Sequence, residues 1–92
     1  MASRFNQEAA NITGQWINRR LHELDLLQRH LARRSGLEQS RLSTLMNAKS
    51  NPTELEAIRL REYLGADTYP WQELTQVAKE FFEGQARGDK VP

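Results

Sequence analysis

Cysteine is absent from this 92-residue chain, which excludes disulfide staples and cysteine-ligated zinc. The two histidines, His22 and His30, do not complete a structural metal site by themselves, so neither a metal nor a cofactor is expected. No apolar run approaches the roughly 20 residues that a membrane-spanning helix needs, and no membrane contact is expected. The amino end lacks a basic segment leading into an apolar one, so it does not read as a signal peptide, and a cytoplasmic location is expected. Sustained alternation of apolar and polar residues is missing too, which argues against strands. There is no glycine-rich phosphate loop, and no motif sets a nucleophile beside its base. Catalysis is not expected.

What remains is a chain with 38 % hydrophobic and 27 % charged residues, compatible with one small ordered domain. A domain of this size buries only about two thirds of its unfolded surface, so helix packing, completed by a second subunit where needed, must supply stability. The charges nearly cancel, 13 basic against 12 acidic, yet they are sorted along the chain. Residues 19–61 hold nine Lys or Arg against five Asp or Glu, and residues 62–92 hold three against six. That pattern predicts an anionic partner for the middle of the chain.

Residues 1–12, MASRFNQEAANI, have few apolar anchors and read as a flexible arm or a short frayed helix. Thr13 is expected to cap the first helix, with Ile12 and Ile17 as a hydrophobic staple around it. Trp16, Ile17, Leu21 and Leu24 share a face, which predicts a helix over 13–24. In the following segment Leu27, Leu31 and Ala32 share a face, and Gly36 stands where a helix ends in a left-handed residue. Leu42, Leu45 and Met46 then repeat the inward pattern. Two helices of about eight residues, joined through one glycine, result.

Residues 49–52 read as a turn. Thr53 and Glu56 have capping-box spacing and open a helix over 54–64, with Leu55, Ile58, Leu60 and Leu64 as its apolar positions and Gly65 as its end. Pro70 suits a first helical turn, after which Trp71, Leu74, Val77, Ala78, Phe81 and Phe82 recur at three- and four-residue steps. Gly84 is expected to end that helix and leave residues 85–92 as a polar tail. The reading is a compact all-α domain of five helices: an arm over 1–12, a head over 13–65 and a carboxy-terminal helix within 66–84.

Gln28 to Asn47, QRHLARRSGLEQSRLSTLMN, resembles the helix-turn-helix of the lambda-repressor and Cro family, the Xre-type domain. Its marks there are a glutamine opening the second helix, a Leu-Ala pair, a turn glycine before a small hydrophobic residue, and a serine-rich third helix. Here they are Gln28, Leu31-Ala32, Gly36-Leu37, and Ser40, Leu42, Ser43 and Leu45. Pro52-Thr53 and residues 57–65 are similar to the family's fourth helix with its terminal Leu-Gly, so the resemblance spans about residues 17–65. Two departures stand out. A Glu-Arg-Gly or Glu-Asn-Gly often closes the family's third helix, whereas this chain has Met46-Asn47-Ala48, so the turn before Lys49 is expected to be arranged differently. Arg41 is also longer and more charged than many relatives carry at that position.

The resemblance implies base contacts by Gln39, Ser40, Glu38 and Thr44. It implies phosphate contacts by Gln28 with Arg29 beside it, Arg41, Asn47 and Lys49, joined by Arg19 or Arg20. Independently of it, an exposed flank carrying Glu38, Gln39, Ser40, Arg41 and Thr44 offers short or planar hydrogen-bonding groups that suit base edges. Gln39 matches adenine and Glu38 matches cytosine N4. Plainer roles compete: a cap for Gln28, a helix-start acid for Glu38, and helix-end cations for Arg33 and Arg34.

Trp16 is expected in the core against the first part of the fourth helix. Trp71, Leu74, Val77, Phe81 and Phe82 exceed the stripe that the head covers, and are expected to form a homodimer interface; packing back on the chain's own head is the alternative. The resemblance implies a regulator of transcription that binds specific double-stranded DNA. It reads as a phage or mobile-element repressor, acting as a dimer on a palindromic operator in a prokaryotic cell or a phage-infected host. An antitoxin with the same head and a toxin partner, or a non-catalytic protein-interaction module, are the alternative classes.

Overall fold

Asn6 opens the first helix. Its side-chain oxygen accepts from the Ala9 amide at 3.0 Å, a polar cap for an otherwise unsatisfied donor, and α1 runs over Gln7–Glu23. The computed structural model describes the backbone of residues 5–90 and the side chains of residues 5–81. Thr13 does not cap α1 but lies buried inside it, and Ile12 lies within the helix as well, half-buried. The reason is a distant partner. The Asn6 amide donates to Asn51 Oδ1 at 2.7 Å, and Asn51 Nδ2 donates to the Asn6 carbonyl at 3.0 Å. Residues 7–12 are therefore helix rather than arm, while residues 1–4 lie outside the described residues.

At the other end of α1, Asp25 takes a left-handed φ of 53°, and the Leu26 amide reaches back to the Leu21 carbonyl at 2.8 Å. This reversal satisfies terminal carbonyls and redirects the chain. Next come α2 (Gln28–Ser35) and α3 (Gln39–Met46), eight residues each. Gly36, between them, has a φ of 78°, a conformation open to glycine without a Cβ clash. α4 (Glu54–Leu64) starts on the expected capping box, Thr53 with Glu56. A 3₁₀ turn over Ala66–Thr68 leads to α5 (Trp71–Lys90). Among the described residues the protein is all-helical, with five α-helices and no strand.

One apolar cluster joins the first four helices: Trp16, Ile17 and Leu21 from α1, Leu31 and Ala32 from α2, Leu42 and Leu45 from α3, Leu60 and Leu64 from α4. Fully burying a large side chain of this kind contributes about 1.5–3 kcal/mol, more than an exposed ion pair, so this cluster sets how α3 is held. Several expected inward positions are not in it. Leu24 and Leu27 sit exposed at the caps of α1 and α2. On α4 the buried face is Ala57, Leu60 and Leu64, whereas Leu55 and Ile58 are 59 % and 45 % exposed.

Trp16 is buried, but its indole Nε1 donates to Thr68 Oγ1 at 3.0 Å. Its ring meets Tyr69 edge-on at 4.9 Å. These partners lie beyond the end of α4, not along its first part. Arg61 stacks over both Tyr69 and Trp71, 5.0 and 4.6 Å from the ring centroids, and so ties the start of α5 to α4. α5 runs past Gly84 to Lys90, so residues 85–90 continue the helix where a tail was expected; residues 91 and 92 lie outside the described residues.

Candidate nucleic-acid interface

α3 is held from behind and open in front. Leu42 and Leu45 are buried, whereas Glu38, Gln39 and Ser40 are exposed at its start, with Thr44 half-buried one turn on. Ala32, across from them, is buried in the same cluster, and so short a side chain keeps α2 close. Glu38 occupies the N-cap position of α3 without a side-chain capping bond. Its carboxylate therefore sits at the positive end of a helix with no cap to make. Gln28 is the first residue of α2 rather than its cap. Its Nε2 crosses to the Gln39 carbonyl at 3.3 Å and braces the opening turn of α3.

Thr44 Oγ1 donates to the Ser40 carbonyl at 3.0 Å, which leaves its methyl and its lone pairs for other contacts. Asn47 Nδ2 donates to the Ser43 carbonyl at 2.9 Å and approaches Ser43 Oγ at 3.3 Å. Both of its donors are thus turned onto α3, and in this arrangement Asn47 has none left for a phosphate.

Arg41 departs furthest from expectation. Its Nε and Nη2 meet Glu56 Oε2 and Oε1 at 2.8 and 2.9 Å. Nη1 donates to Ser50 Oγ at 3.0 Å, and Nη2 also reaches the Asn51 carbonyl at 3.1 Å. The Glu56 carboxylate, gripped by Arg41, is held below the usual carboxylate range. The guanidinium pKa is raised by the same hydrogen bond. Arg41 rivets α3 to α4 and to the intervening loop; it is not a free phosphate ligand. Arg20 is spoken for as well, with Nε on the Leu64 carbonyl at 2.7 Å and Nη1 on Glu23 at 3.0 Å.

Among the described residues, the cations left without an ion pair, a side-chain hydrogen bond or a ring contact are Arg19, Arg29, Arg33, Arg34, Lys49 and Lys79. All are exposed, and none has an ion-pair partner among the described residues. Arg29, Arg33 and Arg34 belong to α2, and Lys49 follows α3 directly.

Three supports were not read from the sequence. Gly14 on α1 lies under the end of α3: an added Cβ would stand 3.0 Å from the carbonyl oxygens of both Leu45 and Met46. Asn18 Nδ2 bridges the Gly14 and Met46 carbonyls at 2.8 and 3.1 Å. Arg59 Nη1 donates to the Ser35 carbonyl at 3.1 Å and ties the end of α2 to α4. A glycine inside an amphipathic helix was the available signal, since such a residue costs helix stability unless something must come close.

The turn before Lys49 keeps a left-handed residue despite its missing glycine. Ala48 takes it, with a φ of 58°, and the Lys49 amide bonds back to the Thr44 carbonyl at 3.0 Å.

The expected dimer residues divide. Val77 is 6 % exposed, and α5 packs on α1 of its own chain, so Val77 is spent within the monomer. Leu74 is half-buried, while Trp71 and Phe81 remain exposed. The Phe82 side chain lies outside the described residues.

No metal-binding group of three or more His, Cys, Asp or Glu occurs among the described residues, and no helix there is long and apolar enough to cross a membrane. In comparison with known proteins, the chain matches no family model, no curated protein and no solved structure.

Proposed function

We propose that this protein is a sequence-specific double-stranded DNA-binding regulator of transcription, with α2 and α3 acting as a helix-turn-helix and α3 as its reading helix. The observation that carries the reading is the opening turn of α3. Gln39 and Ser40 stand exposed there, braced by Gln28 and backed by buried Leu42 and Leu45. Gln39 pairs with adenine, Ser40 with either kind of edge group, Glu38 with cytosine N4, and the Thr44 methyl with a thymine methyl. Arg29 and Lys49 supply phosphate contacts, joined by Arg33 and Arg34, and carry most of the affinity. Arg41 and Arg20 act indirectly, by holding the frame. On a palindromic site two copies would set their reading helices about 34 Å apart on one side of the duplex. Promoter occlusion then gives repression.

Selection of bound sequences from a random duplex pool tests this. A defined consensus is the expected result, palindromic where two copies bind. Equal binding to all duplexes would overturn it.

A further inference from the structure

α4 carries its bulk on the side away from the core. Its buried face is Ala57, Leu60 and Leu64, while Leu55, Ile58 and Tyr63 are 59 %, 45 % and 40 % exposed. At about 100° of rotation per residue these three share one outward face with Arg59 and Glu62, both exposed. Single apolar side chains at a surface are ordinary, but three on one face of an eleven-residue helix call for a cover. Arg59 and Glu62 stand three residues apart, the spacing of an intrahelical ion pair. They form none, and neither has an ion-pair partner among the described residues. Arg59 spends one donor on the Ser35 carbonyl and keeps the rest of its guanidinium for another contact.

We propose that this face is where two copies of the chain pair, α4 against α4 about a twofold axis. A face that meets itself must complement itself, and this one does. It sets one cation and one anion about 4.5 Å apart along the helix beside an apolar centre. Whether the two helices run parallel or antiparallel, each copy's Arg59 then comes within reach of the partner's Glu62, twice over, and Leu55 and Ile58 are covered between them. A helix of this length, about 16 Å, offers less than the roughly 800 Å² per partner of a standard interface. The pair is therefore weak, with a dissociation constant on the order of 10–100 μM. A duplex fits this face worse, because Leu55 and Ile58 offer phosphates nothing and Glu62 repels them. α5 is the poorer place for a twofold contact, since Val77 is already buried within the chain and Trp71 lies under Arg61 with its indole Nε1 on the Ala66 carbonyl. The face shares no residue with Gln39, Ser40, Arg29 or Lys49, so the proposal holds or fails independently of the DNA-binding reading.

The test is sedimentation equilibrium of the full chain without DNA. Over concentrations from about 1 μM to 1 mM the wild type should follow a monomer–dimer equilibrium. Ile58→Asp, at an exposed position, should leave the chain monomeric throughout, with circular dichroism reporting an intact helical fold. Glu62→Arg makes the face all basic and Arg59→Glu makes it all acidic. Each alone should associate about tenfold more weakly than the wild type, and an equimolar mixture of the two should recover at least the wild-type affinity. Arg59→Glu also gives up the bond to the Ser35 carbonyl, so recovery on mixing, which a purely structural loss would not show, is the deciding readout. A monomer at every concentration, a dimer that Ile58→Asp leaves intact, or a mixture no tighter than its parts would overturn the proposal.

Discussion

Arg41 and Glu56 meet side-on through two parallel hydrogen bonds of 2.8 and 2.9 Å. The same carboxylate accepts from the Thr53 amide at 2.8 Å, completing the capping box of α4. One acidic group thus starts a helix and anchors the helix proposed to read DNA. Removing either partner leaves the other with unmet hydrogen-bonding groups. Arg41→Ala and Glu56→Gln should each cost about 1–3 kcal/mol in urea unfolding. The double variant should lose less than the two losses added, since they share one interaction.

The same pair gives a pH signature. Glu56 is held below its ordinary value near 4.5, chiefly by the Arg41 hydrogen bond. Its contribution to stability is complete at neutral pH. It begins to be lost as pH falls through the unfolded-state value and is gone below the lowered folded-state value. Unfolding free energy measured across this acidic range should therefore fall less steeply in Glu56→Gln than in the wild type.

Gly14 is a packing requirement. A methyl there would stand 3.0 Å from two backbone oxygens, which cannot swing aside as a side-chain end can. Gly14→Ala should destabilise the fold by about 1–3 kcal/mol despite the higher helix propensity of alanine. Denaturant midpoints report it. Any gain in stability would show that α1 and α3 are farther apart.

Ala48 makes the opposite prediction. An L-residue at a φ of 58° is strained where glycine is not. Ala48→Gly should raise stability by about 0.5–1 kcal/mol after its extra unfolded-state entropy is subtracted.

Two substitutions separate reading from holding. Gln39→Ala should lose about 1–3 kcal/mol on the selected duplex and little on unrelated ones. Lys49→Ala should weaken binding to all duplexes alike and lower the slope of log affinity against log salt by about 1. Titrations at several salt concentrations distinguish them.

The parts of this fold legible in sequence are those decided within a few residues. Gly36 and its left-handed turn, the Thr53–Glu56 box and the bounds of α4 depend on local backbone rules, and they appear where those rules put them. The start of α1 is not decided locally, because Asn6 and Thr13 are both good caps. The choice between them rests on Asn51, 45 residues away. Arg41 shows the same limit of sequence: a long cation on an exposed flank looks available until the fold brings Glu56 beside it. On α4, bulk misled. Leu55 and Ile58 are larger than Ala57, but only the face of Ala57, Leu60 and Leu64 turns inward. Exposure of Gln39 and Ser40 followed directly from the placement of Leu42 and Leu45.

The paired amide bonds between Asn6 and Asn51 carry a practical consequence for anyone handling the protein. They fasten the beginning of the chain to the segment just after α3. A trimmed amino end, a bulky fusion tag or a protease cut near Phe5 would thus be felt at the far edge of α3. Assays run on differently engineered amino ends would then disagree about affinity without any change to the side chains proposed to contact DNA.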